Sequence, residues 1–266
     1  MKKNILVTGA SSGFGFLIAT ELHKKGYNVI GTSRNPEKMK SSVPFKMIAL
    51  DLDSENSISS LPERVFKEIS RLDILINNAG FLVNGIAEEI PIELGRKQFE
   101  TNFWGTIKVT NAILPFFRKQ KFGKIITVGS IVGLVSFPNA AYYSASKHAL
   151  EGYFKALRYE LHEFNIRVAM IEPSAFKTSI MDNSTSQLVK IEDYNTLRSN
   201  IDKFTTELVK SAEDPALVAR KVLKVVEIEK PKFRNIVGKG TSALINLQHF
   251  AYSILEKNVL KQLNKS

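Results

Sequence analysis

Tyr143 and Lys147 stand four residues apart in Tyr143-Ser144-Ala145-Ser146-Lys147, at the head of a stretch with helical periodicity. Residues i and i+4 share one helix face, so a phenol and an ammonium point into the same space. A free tyrosine titrates near pH ~10, too high for easy proton exchange at neutral pH. A neighbouring cation favours the phenolate and lowers that value, which makes the pair a workable general acid/base. The spacing alone is common on protein surfaces. Ser130, at the end of an apolar run, and Asn102, in a helical stretch, give it a setting. A hydroxyl and an amide converging on a phenol could polarise a carbonyl and manage its proton.

The elements that must position these groups follow from hydrophobic patterning. Short apolar runs at 5–8, 28–32, 46–49, 74–77, 124–129, 167–172 and 235–237 read as strands. Stretches at 13–25, 57–70, 93–119, 141–163 and 215–227 read as helices, as in the spacing of Leu150, Tyr153, Phe154, Leu157 and Leu161. Asp53-Ser54 and Asp214-Pro215 read as helix starts. Strands that are continuously apolar are buried on both faces. Their alternation with helices predicts an α/β fold: a doubly wound parallel sheet in a three-layer αβα sandwich. The length of 266 residues and the hydrophobic share of 44% suit one domain spanning residues 1–266. Residues 174–213 break the rhythm and read as a lid or binding element. Residues 241–264 form an amphipathic helical extension, with Leu244, Ile245, Leu247, Phe250, Ile254, Leu255, Val259 and Leu260 on its apolar side. That extension packs on the core, makes a subunit contact or lies on a membrane surface.

Several function classes recede. The chain has no cysteine, which removes disulfides, zinc-thiolate sites and thiol nucleophiles. His148 and His162 lack a second histidine or carboxylate, so no metal is expected. The apolar run after Lys2-Lys3 ends at Thr8-Gly9, too early for a signal peptide, and no stretch is long enough to span a bilayer. A cytoplasmic protein is expected. The net charge of +11 is spread along the chain rather than gathered into a basic block. It reads as a solvated surface, and nucleic acid is not an expected partner.

The first strand runs into Thr8-Gly9-Ala10-Ser11-Ser12-Gly13-Phe14-Gly15 and then into a helix. A glycine turn there lets backbone approach a pyrophosphate, and the helix start offers free N–H groups. The glycines are spaced three-then-one rather than one-then-two as in the common dinucleotide fingerprint. After the second strand an acid would bind a ribose 2′-hydroxyl, but the chain reads Ser33-Arg34. Small hydroxyls and a guanidinium suit a 2′-phosphate, so NADP(H) is favoured over NAD(H). Asp51, before Leu52, either accepts from an adenine amino group or caps the next helix. Asn77-Asn78-Ala79-Gly80 offers small residues where ribose and nicotinamide would lie.

Jointly, Thr8-Gly9-x-x-x-Gly13-x-Gly15, Asn77-Asn78-Ala79-Gly80, Asn102, Ser130 and Tyr143-x-x-x-Lys147 resemble the short-chain dehydrogenase/reductase family in order and spacing, over roughly residues 4–178. The chain is more similar to the retinol and hydroxysteroid dehydrogenase branch than to the shorter acyl-carrier-protein reductases. The resemblance implies a Rossmann-type domain with a seven-stranded parallel sheet and an Asn-Ser-Tyr-Lys tetrad. It implies that Tyr143 donates a proton to a carbonyl oxygen, Ser130 polarises that carbonyl, and Lys147 lowers the Tyr143 pKa and holds the nicotinamide ribose. Asn102 would position a water linking Lys147 to solvent. Pro173 and Thr178 match positions along the nicotinamide, although Pro173-Ser174 replaces the family's usual Pro-Gly. Phe81, Ile131, Phe137, Phe176 and Met181 are the expected apolar substrate contacts, with an apolar ketone, aldehyde or secondary alcohol as substrate. Family members pair through the two long helices near 93–119 and 141–163, so a homodimer or homotetramer is expected. The competing reading is a regulatory protein that binds NADPH without turnover.

Overall fold

The computed structural model describes residues 2–39, 42–176, 189–210 and 212–264. Seven strands form one parallel sheet: β1 (Asn4–Val7), β2 (Asn28–Ser33), β3 (Lys46–Ala49), β4 (Ile74–Asn77), β5 (Gly123–Val128), β6 (Ile166–Pro173) and β7 (Arg234–Val237), in the order β3-β2-β1-β4-β5-β6-β7. β4 and β5 are buried at every residue, as their unbroken apolar runs require.

Helices cover both faces, because parallel strands need crossovers and right-handed crossovers fill both sides. On one face α1 (Gly13–Lys24) and α8 (Ala216–Glu227) close a core through Ile18, Leu22, Val218 and Val222. On the other, α2 (Glu55–Ser59), α3 (Leu61–Glu68), α5 (Thr106–Gln120) and α6 (Ala141–Glu160) pack Ile58, Val65, Ile113, Phe117, Leu150 and Phe154 against the sheet. The strand order reverses at β1, between β2 and β4. Doubly wound sheets open a crevice there, at the strands' carboxyl ends.

Three stretches depart from the sequence reading. The helix expected over 93–119 is α4 (Ile92–Phe99), a π-helical turn at Glu100–Gly105, and α5. Thr106 and Thr110 donate their hydroxyls to the carbonyls of Asn102 and Thr106, both at 2.8 Å. Such back-bonding competes with the helical ladder. The helix expected over 57–70 is split into α2 and α3, with Pro62 in the first turn of α3. The C-terminal extension is two helices, α9 (Thr241–Phe250) and α10 (Tyr252–Leu263), broken at Ala251 (φ −148°, ψ 48°). Within residues 174–213, α7 (Asn195–Lys210) is anchored where Glu89 accepts from the Ile191 amide at 2.8 Å and pairs with Arg198. Among the described residues no helix is long and apolar enough to cross a membrane, and no group of three His, Asp or Glu side chains could hold a metal ion.

Candidate active site

Three loops meet at the crevice, and Thr8 joins two of them. Its hydroxyl accepts from the backbone N–H groups of Asn78 (2.9 Å) and Ala79 (3.0 Å). The Asn78 amide donates back to the Thr8 and Gly9 carbonyls at 3.0 and 3.3 Å. The Gly9 amide in turn donates to Thr32 Oγ1 at 3.3 Å. A Cβ on Gly9 would stand 2.8 Å from Ala79 Cα, and one on Gly15 would stand 2.1 Å from the Gly9 carbonyl oxygen. Gly80 is confined by the Asn102 amide, 3.0 Å from where its Cβ would lie. Gly13 differs: its φ is +53° and a Cβ there would meet nothing within 4 Å.

Ser12 sits at the head of α1 in extended conformation and makes no side-chain cap. The first-turn N–H groups of Gly13, Phe14 and Gly15 therefore face the crevice as free donors, with Ser11 alongside. Ser33 Oγ is buried without a hydrogen-bond partner, and Arg34 beside it is exposed. A glycine cradle, free helix donors and an orphaned hydroxyl at the end of β2 fit a dinucleotide. Asp51 does not cap the next helix: Ser54 does, accepting from the Ser57 amide at 3.3 Å. Asp51 Oδ1 accepts from the Asp53 amide at 3.1 Å, and Leu52 beside it is buried.

Ser130, Tyr143 and Lys147 come together on the far side of the crevice. Ser130 follows β5 and caps a short 3₁₀ turn, Ile131–Gly133, its Oγ accepting from the Val132 amide at 3.3 Å. That leaves its O–H free to donate toward the Tyr143 hydroxyl. Lys147 lies one turn along α6, buried, with Nζ 5.6 Å from the centre of the Tyr143 ring. Nζ donates to the Val128 carbonyl at 3.1 Å.

Burial pushes the Tyr143 hydroxyl up to about 12, and the Ser130 hydroxyl acts the other way. Burial also brings Lys147 down to about 8, against the pull of Glu151. The expected lowering of Tyr143 by Lys147 is not seen in this state. Desolvation penalises both charged forms, and the ammonium turns to a backbone carbonyl. Tyr143 is thus held as the protonated acid at neutral pH, the form that can donate. The Asn102 side chain donates to the Phe81 carbonyl at 2.8 Å and accepts from the Phe81 amide at 2.9 Å. It clamps the loop after β4.

The expected substrate contacts divide among three clusters. Phe81 packs with Val83, Ile90, Leu94 and Tyr142. Ile131 and Phe137 lie with Val135 beneath Leu244, Leu247 and Leu255 of α9 and α10. Phe176 is buried in the core under α1, edge-on to Phe14 with ring centres 5.8 Å apart. Thr178 and Met181 lie outside the described residues. Pro173 ends β6, and Ser174 after it has no left-handed backbone, so glycine is not required there. The tight spot is across the sheet at Gly238 (φ +121°), where a Cβ would fall 1.9 Å from Ser174 Oγ.

Sequence reasoning did not single out Thr8 as a positioning group, although it directly precedes the first glycine. It also missed Glu151, Glu172 and Arg234 below Lys147. The available signal was an acid one helical turn after Lys147 and a charge inside an otherwise apolar strand.

Comparison with known proteins agrees with this geometry. Residues 3–189 match the family model described as short chain dehydrogenase. An uncharacterized oxidoreductase of Bacillus subtilis is 39% identical, over 98% of this chain and 99% of its own. A 3-ketodihydrosphingosine reductase of Bacteroides thetaiotaomicron is 38% identical over 88% and 87%. An NADPH-dependent 3-dehydrocapnine reductase of Ornithobacterium rhinotracheale is 32% identical over 87% of each chain.

Proposed function

The chain belongs to the short-chain dehydrogenase family, and from that premise we propose that it is an NADP(H)-dependent reductase of a ketone carried on an apolar chain. The observation that carries the reading is the gathering of Ser130, Tyr143 and Lys147 near the ends of β5 and α6, with a glycine cradle after β1. Gly9, Ser11, Ser12, Gly13, Phe14, Gly15, Asn78, Ala79 and Gly80 would hold the dinucleotide, with Asp51 and Leu52 near its adenine. Ser33 and Arg34 would take a 2′-phosphate. When bound, the dinucleotide supplies the hydride.

The chain's own residues manage the carbonyl. Ser130 donates to the carbonyl oxygen and polarises it. Tyr143 delivers its proton to the same oxygen as negative charge develops there. Lys147 would hold the nicotinamide ribose and favour the phenolate that remains. One relative's name states a 3-keto substrate, and another's states a 3-dehydro substrate and NADPH. The apolar wall from Ile131 to Phe137 under α9 and α10 supports a lipid-like chain on that ketone. Exposed Trp104, Phe116 and Tyr159, around α5 and on α6, support pairing of two copies through these helices. A cytoplasmic location accords with the same reading.

The test is turnover of 3-ketodihydrosphingosine and a panel of apolar ketones, aldehydes and alcohols with NADPH and with NADH. The wild type is expected to turn over best with NADPH, and Tyr143→Phe to lose at least ~100-fold in kcat while still binding NADPH. Full activity in Tyr143→Phe would refute the acid assignment. Tight NADPH binding with no turnover anywhere in the panel would favour a regulatory protein instead.

A further inference from the structure

Beneath the site lies a cluster that the proposed chemistry does not use. Glu151 follows Lys147 by one turn of α6, and Glu172 is the penultimate residue of β6; both are buried, at 7% and 0% exposure. Arg234, at the start of β7, binds both: Nε to Glu172 Oε1 at 3.0 Å and Nη2 to Glu151 Oε2 at 3.2 Å. Arg234 thus brings the two carboxyls together, and Glu151 acts on Glu172 directly. Their other oxygens, Glu151 Oε1 and Glu172 Oε2, are buried with no donor among the described residues. Glu151 Oε1 lies 3.6 Å from where a Cβ of Gly129 would be, directly below the strand end that carries Ser130.

Two buried carboxylates held by one guanidinium leave two oxygens without a donor. A single proton between them resolves both: one O–H···O⁻ bond supplies the missing donor, and one negative charge remains to face Arg234 and Lys147. We propose that Glu151 and Glu172 share one proton and, clamped by Arg234, act as positioning residues that hold Lys147 as an ammonium. The proton rests on Glu172, whose buried carboxyl is pushed up to about 9. Glu151 is the group that opposes the desolvation of Lys147. Among the described residues, the charged groups that act on the pair are Lys147 on its own helix and Arg234 on β7, and the end of β5 contributes the Val128 carbonyl and the Gly129 backbone. The cluster thus ties α6, β6 and β7 together while setting the charge next to Tyr143.

This inference rests on the reductase reading, and two readouts separate the failure of one from the failure of the other. The first needs no turnover. Infrared difference spectra at pH 7, wild type minus Glu172→Gln, should show the C=O stretch of a protonated carboxylic acid. Glu151→Gln should also lack that band, because Glu172 then ionises against Arg234. Absence of the band in the wild type would overturn the shared proton. The second is the alkaline limb of kcat/KM. Glu151→Gln moves the negative charge from beside Lys147 to Glu172, and the limb should shift down by about one pH unit. Glu172→Gln, whose amide still donates to an ionised Glu151, should leave the limb in place, and Glu151→Asp should restore much of it. A limb that ignores Glu151→Gln in a wild-type-like fold, checked by thermal melting, would overturn the positioning role. A wild type that shows the band but reduces nothing would sink the reductase reading, and the positioning role with it, while leaving the shared proton standing.

Discussion

Gly13 and Gly15 sit in the same loop, yet the structure predicts opposite consequences for placing alanine at each. At Gly15 the new Cβ would stand 2.1 Å from the Gly9 carbonyl oxygen and 2.4 Å from the Asn78 amide nitrogen. Cβ has no rotamer by which to escape, so backbone must move. The hydrogen bonds at risk are those by which Asn78 grips Thr8 and Gly9, at 3.0 and 3.3 Å. Overpacking costs roughly 1–3 kcal/mol, and each lost hydrogen bond about 1 kcal/mol more. Helix propensity returns only ~1 kcal/mol to alanine. Gly15→Ala should therefore lose about 3 kcal/mol, or roughly 6–12 °C of Tm for a chain of this size. At Gly13 the Cβ enters open space, and the only protein-side penalty is the left-handed backbone at φ +53°. That costs about 1–2 kcal/mol, partly offset by a stiffer unfolded chain, and should lower Tm by no more than ~5 °C. The open space is where a pyrophosphate would lie, so Gly13→Ala should weaken NADPH binding at least ~10-fold. Circular-dichroism melting and NADPH fluorescence titration read the two quantities separately. A Gly13→Ala protein with wild-type NADPH affinity would refute the cradle. Equal melting temperatures for the two variants would refute the packing argument.

The remaining predictions concern charge. Arg34→Asp removes a charge-assisted contact worth about 1.5–3 kcal/mol and adds repulsion toward a 2′-phosphate. NADPH should weaken by at least ~10-fold and NADH by no more than ~3-fold in titrations; equal losses would defeat the 2′-phosphate reading. For stability, the Glu172 carboxyl at about 9 lies above its unfolded value, so between pH 5 and 8 the folded chain binds more protons than the unfolded chain. Stability from this group is complete at low pH and declines as pH rises. Lys147, lowered to about 8, acts oppositely only above that pH. Denaturant midpoints measured from pH 5 to 8 should fall for the wild type and flatten in Glu172→Gln; an unchanged slope in the variant would contradict the assignment.

The sheet was legible because its strands are buried on both faces, and such strands announce themselves as unbroken apolar runs. The Tyr143–Lys147 pair was legible for a different reason: a helix fixes i and i+4 on one face whatever surrounds it. The π turn at Glu100–Gly105 was not, because one extra residue in a helix barely disturbs hydrophobic periodicity over 93–119. The break at Ala251 was hidden in the same way. No proline or glycine marks it, and the residues on either side keep an amphipathic pattern. Asp51 shows the limit of local signals: either role suited its position, and Ser54, three residues on, takes the cap.

Charge states depend on burial, which spacing alone does not report. Read from the sequence, Lys147 should lower the pKa of Tyr143. In the folded chain desolvation outweighs that attraction for both groups, and the phenol is kept as an acid. The ammonium needs a counter-charge to remain one, and Glu151 supplies it from the next turn of the helix. Glu151 itself is tied down in the interior by Arg234 of β7, which also binds Glu172 of β6. Reaction class follows from a few residues in fixed register, whereas the proton balance that makes them work is assembled from β6, β7 and α6. The residues expected to touch substrate are more dispersed still, since Phe81, Phe137 and Phe176 belong to three separate clusters. A substitution in any one of these clusters should therefore change which ketone is accepted without moving the alkaline limb that Glu151 governs.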